Sequence, residues 1–144
     1  MSALTMSRAE REAFLAATHV GLVAIAEPGR GPLAVPIWYR YEPGGALHFV
    51  TGARSRKAEL IRAAGRIGFC VQSEQPPYRY VSVEGPTAFG EPDYERDVRA
   101  VAIRYLGEQM GQMYLTMMAA DPEPTVLVTV KPERWYSVDY SKLG

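Results

Sequence analysis

The clusters EPGRGP at residues 27–32 and EPGG at residues 42–45 constrain this chain more than any other feature. Proline has no backbone N–H to give a ladder or a helix interior, and glycine supplies the unusual dihedrals of tight turns. The two clusters therefore end whatever precedes them and leave room only for short segments. Around them stand runs rich in β-branched and aromatic residues: 19–26 (HVGLVAIA), 33–41 (LAVPIWYRY) and 46–51 (ALHFVT). Short extended runs joined by tight turns form an antiparallel meander. Pro36 inside the second run places that strand at an edge, a bulge or a bend.

The remaining segments follow the same reading. Ser7, with Glu10 three residues on, is a capping box that opens a helix over residues 7–17. Ser55 caps a second helix over residues 54–64, whose apolar side carries Leu60, Ile61 and Ala64. Strands are predicted over 66–72 and, after a loop at 73–77, over 78–89, with Gly85 and Pro86 as a bulge or bend. Helices follow over 93–106 and 108–119, separated near Gly107 and ended by Pro122 and Pro124, and the last strands are 125–130 and 133–138. No βαβ rhythm and no GxGxxG occurs, which disfavours a Rossmann fold. The expected fold is mainly β (α+β): a closed or split antiparallel β-barrel with peripheral helices, in one domain over residues 1–144.

Charge and composition exclude several functions. Sixteen basic and sixteen acidic residues cancel, where a duplex nucleic-acid binder carries a basic excess. No run approaches the roughly 18 apolar residues of a membrane span, and the start lacks a signal-peptide core. The single cysteine, Cys70, lies in the apolar run IGFCV and behaves as a small hydrophobe. His19 and His48 are the two histidines; without HxH or HExxH spacing they predict no metal site. A cytoplasmic protein with a small-molecule substrate and no nucleic-acid or membrane partner is the expectation.

Chemistry concentrates in residues 50–57, VTGARSRK. A strand ends, a glycine loop follows and a helix begins, so free N–H groups and the positive end of the helix dipole meet two hydroxyls, Thr51 and Ser55, and three cations, Arg54, Arg56 and Lys57. Arg binds phosphate through paired hydrogen bonds and Lys as a point charge. The same charges could equally form a solvated helix face. A second stretch is VPIWYR at 35–40, where Trp38 and Tyr39 face opposite sides of a strand and irregular backbone near Pro36 leaves polar groups for a heterocycle. In QSEQPPYRY at 72–80, Tyr78 and Tyr80 share one face and Arg79 takes the other; Trp135 stands in a similar amphipathic cluster, RWY. These either shape a pocket rim or serve only packing. No nucleophile elbow and no paired carboxylates appear, so no catalytic side chain is assigned and a cofactor would have to supply any reactivity.

Read together, GLVAIA, PLAVPIWYRY, LHFVTGARSRKAELIRAAGRIGFCV and YVSVEGPTAF resemble the pyridoxamine 5′-phosphate oxidase-like split β-barrel superfamily, and more closely its small actinobacterial flavin- and deazaflavin-dependent oxidoreductases. The resemblance implies that Thr51, Ser55, Arg56 and Lys57, with Arg54, bind a cofactor phosphate, and that the strand through Pro36 and Trp38 lines the flat ring system. It implies a homodimer with cofactor sites at the subunit interface, completed by Tyr78, Arg79 and Trp135 of the second subunit. The cofactor would be coenzyme F420, with FMN as the alternative, and the activity hydride transfer to a small organic acceptor. An FMN-binding pyridoxamine-phosphate-oxidase-like protein and a non-catalytic cofactor carrier are the rival readings. Many members have Asn where this chain has Glu59; an acid there needs an arginine partner if phosphate is to bind nearby.

Overall fold

The computed structural model describes residues 2–144. Helix α1 (Arg8–Ala16) opens as expected: the Ser7 hydroxyl accepts from the Glu10 N–H, and the Glu10 carboxylate accepts from the Ser7 N–H. Its Phe14 and Leu15 enter the core. Strands β1 (Gly21–Ile25), β2 (Leu33–Ile37), β3 (Arg40–Tyr41) and β4 (Leu47–Gly52) follow. Helix α2 (Arg56–Ala64) carries its Ser55 cap and ends at Gly65, whose φ of 73° is the left-handed turn that glycine accepts without strain. Strands β5 (Arg66–Gln72) and β6 (Arg79–Gly90) complete the first sheet's centre.

The run 33–41 was expected as one strand and is two. The break falls after Pro36, at Trp38 and Tyr39. Its cause is a distant side chain: the Tyr105 hydroxyl accepts from the Tyr39 N–H at 3.2 Å and donates to the His19 carbonyl at 2.6 Å. The Tyr39 backbone thereby leaves the ladder. Pro36 sits within β2 opposite Leu22, and β2 is an outermost strand.

All pairings are antiparallel, in the order β2-β1-β5-β6-β7-β4-β3, with β7 (Thr125–Val130), and with β8 (Arg134–Asp139) also on β6. The result is a split antiparallel barrel. Strand β6 belongs to both halves. Its residues 79–84 pair with β8 and residues 87–90 with β7, on the same edge. The change of partner falls at Gly85 and Pro86, the bend expected from sequence. Lys131 donates to the Pro86 carbonyl and Glu133 to the Glu84 carbonyl, so the β7–β8 corner rests on Gly85. A Cβ on Gly85 would lie 1.7 Å from the Lys131 carbonyl oxygen, so only glycine fits.

Alternating residues of these strands fill the core. Val23, Ile25, Leu47, Phe49, Phe69, Val81, Val83, Val128 and Val130 are buried. Tyr39 is fully buried, edge-on to Phe69, with its hydroxyl donating to the Leu15 carbonyl at 2.6 Å. Outside the barrel a helical hairpin lies across β4. It begins with wide π-helical turns over Tyr94–Arg99, runs on as α3 (Ala100–Leu106), turns at Gly107 and returns as α4 (Glu108–Ala120). Among the described residues no helix is long and apolar enough to cross a membrane.

Candidate functional site

Strand β4 organises the site. Leu47, Phe49 and Thr51 point into the barrel, while His48 and Val50 face outward beneath the helical hairpin. There the hairpin and the sheet border a half-open cavity of about 520 Å³. Its floor is Pro36, Trp38, Val50 and Leu127, and its roof Val98, Val101 and Tyr114. Trp38 stacks nearly parallel on Tyr105, with centroids 5.1 Å apart, and meets Tyr114 at 5.3 Å. A flat, mostly apolar wall of this kind suits an aromatic ligand.

One end of the cavity is polar. Asp97, 4% exposed, accepts from Arg40 Nε at 2.8 Å, from Arg96 at 3.1 Å through two nitrogens, and from the Asp93 N–H at 2.8 Å. Burial by itself would raise the Asp97 carboxyl; the hydrogen bonds from Arg96, the Asp93 N–H and Arg40 outweigh it and hold the group at about 2. Beside Arg40 stands His48, with Nδ1 3.1 Å from the Thr129 hydroxyl. Burial, and then the Arg40 charge, push the His48 imidazole down from its ordinary value, which favours its neutral form.

The second feature lies at the C-terminal end of β4. The turn into α2 forms a shallow cleft bordered by Ala53, Arg54, Ser55, Glu59, Arg62 and Ala63. The Ser55 hydroxyl is committed to the turn: it accepts from the Ala58 N–H at 3.1 Å and donates to the Gly52 carbonyl at 2.7 Å. Thr51 is buried against it, hydroxyl to hydroxyl at 3.4 Å. Arg56 pairs with Glu27 and, at 3.2 Å, with Glu59. Glu59 thus has the arginine partner that a neighbouring anion requires. Among the described residues Arg54 and Lys57 have no carboxylate partner; the Ala58 N–H donates to the Ser55 hydroxyl and the Glu59 N–H to the Ser55 carbonyl, which leaves the Arg56 and Lys57 N–H groups without an intrahelical acceptor.

Of the residues singled out in the sequence, Pro36 and Trp38 meet in the cavity, and Arg54 and Ser55 meet in the cleft. Thr51, Arg56 and Lys57 belong to the same turn, with Arg56 directed to Glu27. Tyr78, Arg79 and Trp135 border neither space within one chain. Arg79 lies over the Phe14 ring at 5.0 Å, Trp135 is covered by Arg11 at 4.5 Å, and Tyr78 is exposed. Three site residues escaped the sequence reading. Arg62 borders the cleft, donates to the Ala53 carbonyl at 3.1 Å and covers Phe89; its spacing from Ser55 and Glu59 puts all three on one helix face and could have revealed it. His48 and Arg40 line the cavity through pairings across strands that local sequence does not show.

An eight-stranded antiparallel sheet with a basic turn at the end of one strand and a flat-walled cavity along it defines a split β-barrel protein. More closely, the chain belongs to the pyridoxamine 5′-phosphate oxidase family, which matches residues 7–139. No curated protein sequence matches it. Among solved structures, a conserved hypothetical protein of Mycobacterium tuberculosis superposes with a TM-score of 0.80 at 26% identity, covering 100% of this chain and 91% of that one. A protein described as an F420 reductase gives 0.60 at 23% identity, covering 87% and 94%. A FAD-binding protein of Mesorhizobium loti gives 0.64 at 22%, covering 92% and 93%. The last two likenesses show the shared fold.

Proposed function

We propose that this protein is a cytoplasmic oxidoreductase that binds coenzyme F420, with FMN as the alternative, and passes a hydride to a small organic acceptor. The observation that carries the reading is the course of β4, which runs from the flat-walled cavity beside Trp38 to the basic turn at Arg54 and Lys57. A cofactor with a planar ring at one end and a phosphate further along needs these two features on one element. The names of two structural neighbours, an F420 reductase and a FAD-binding protein, support the cofactor class.

The residues fit such a group. Arg54 and Lys57 would attract the phosphate, with N–H groups of the first turn of α2 as donors. Ser55 and Thr51 would hold the turn in shape, and Arg56 would keep Glu59 neutralised. Pro36 and Trp38 would border the ring and the hairpin would exclude water from it. The bound cofactor supplies the hydride; the chain's part is to orient and shield.

Tyr78, Arg79 and Trp135 enter this reading through a second copy of the chain. A homodimer is supported by the uncovered outer face of the first sheet, where Leu22, Tyr80 and Tyr136 stand together and the two tyrosine rings stack at 5.9 Å. Titration of the purified protein with F420 and with FMN, followed by ring fluorescence, tests the proposal. Binding by neither below about 1 mM, roughly 4 kcal/mol, sinks it. Binding without oxidation of reduced cofactor by any acceptor would favour the carrier reading.

A further inference from the structure

His48 occupies the centre of a row that crosses three strands. Arg40 on β3 lies opposite it on one side and Thr129 on β7 on the other. The Thr129 hydroxyl fixes the ring through Nδ1, while among the described residues no protein group pairs with Nε2. His48 lines the cavity. The carboxylate that could have taken its proton is spent: both oxygens of Asp97 are filled by Arg40, Arg96 and the Asp93 N–H. Arg40 gives Asp97 only its Nε, and among the described residues its terminal nitrogens find no acceptor.

Asp97 offsets only one of the two arginines that pair with it, Arg40 and Arg96, so this end of the wall is net positive, while the surfaces that extend from it, Trp38, Val50, Val98, Val101 and Leu127, are apolar. Such a wall repels a cation and favours an acceptor oxygen, and over the apolar remainder a fully charged group would lose its hydration. In the tautomer in which the Thr129 hydroxyl donates to Nδ1, neutral imidazole presents an N–H at Nε2. An uncharged flat ligand with one acceptor oxygen meets both requirements of such a wall.

We propose that His48 is the residue that selects the ligand of this cavity: its Nε2–H, aimed by Thr129, hydrogen-bonds the carbonyl oxygen of an uncharged aromatic ketone held under the helical hairpin. This names an acceptor class for the function proposed above, but the binding it describes requires no cofactor.

The test uses the cofactor-free protein and two probes of the same shape, 2-acetylnaphthalene and 2-ethylnaphthalene, in equilibrium dialysis. The wild-type protein is expected to bind the ketone more tightly than the hydrocarbon, by about five- to tenfold, the worth of one neutral hydrogen bond. His48→Phe and Thr129→Val should erase that preference, and His48→Gln, which keeps an N–H donor, should retain most of it. Circular dichroism establishes that each variant is folded, and His48→Gln against Thr129→Val carries the test if His48→Phe is not. Equal affinity of the wild-type protein for the two probes, no binding of either up to 1 mM, or an unchanged preference in folded His48→Phe or Thr129→Val would each overturn the proposal. Because no cofactor is added, failure of the F420 and FMN titrations leaves this result separate.

Discussion

The Nε of Arg40 donates to Asp97 at 2.8 Å and fastens the helical hairpin to the barrel, joining positions 57 residues apart in sequence. The two side chains are 22% and 1% exposed. Removing the carboxylate leaves Arg40 unpaired at a poorly solvated wall. Asp97→Ala should therefore lower stability by about 3–5 kcal/mol, read as a fall in the urea midpoint. The carboxyl is held at about 2 against an ordinary 3.8. Its folded value is depressed, so its contribution is complete above pH 3.8 and is lost as pH falls toward 2. Acid titration of Asp97→Asn should be flatter than wild type in that window.

At the α2 turn, binding and stability should separate. Arg54→Ala and Lys57→Ala are expected to weaken binding of a phosphate-bearing cofactor about tenfold each, the worth of a charged hydrogen bond, with little change in melting temperature. Ser55→Ala should lower stability by about 1 kcal/mol through loss of the cap. Fluorescence titration and thermal melts, run on the same preparations, check both.

Gly85 should accept no side chain. The Lys131 carbonyl occupies the space of a Cβ, and both partners are backbone held by ladder hydrogen bonds. Gly85→Ala is expected to cost more than about 3 kcal/mol. Soluble yield and the far-ultraviolet spectrum report it; a variant with wild-type melting would contradict the assignment.

Trp38 should matter more to ligand than to fold. It is half-exposed to the cavity and held by the stack on Tyr105. Trp38→Phe keeps a flat ring and should bind cofactor within a few-fold of wild type. Trp38→Ala should lose tenfold or more, since a planar stacking surface contributes about 1 kcal/mol beyond its burial.

Both histidines should make the protein more stable as pH rises from 5 to 7. His19 and His48 are lowered from 6.5 chiefly by burial, with Arg79 and Arg104 acting further on His19 and Arg40 and Arg96 on His48, while Asp97 and Glu42 oppose the shift at His48. The folded state thus disfavours their protonation. Their contribution is complete above 6.5 and is lost as pH falls below it. Melting temperature against pH should flatten in His19→Gln and in His48→Gln.

What the sequence disclosed was local. The Pro/Gly clusters fix turns wherever they occur, a serine three residues before an acid caps a helix wherever apolar periodicity follows, and the runs 66–72 and 125–130 coincide with β5 and β7. The split of the run 33–41 was hidden because the hydroxyl that captures Tyr39 comes from 66 residues away. The cavity's polar end was hidden for the same reason: His48 and Thr129 are 81 positions apart and meet through sheet register. At the basic turn the residue types were legible and their commitments were not. Nothing in the local sequence says that Arg56 turns to Glu27, so the turn's exposed charge reduces to fewer cations than it contains.

Pro36 has a consequence apart from the cavity it borders. It lies in the middle of β2, the outermost strand on its side of the sheet. A bare strand edge invites a strand from another molecule, and repeated invitations of that kind end in aggregates. Proline carries no N–H for an arriving strand to use. One residue therefore shapes a ligand wall on one side and discourages runaway self-association on the other, and replacing it to enlarge the cavity would expose the protein to both losses at once.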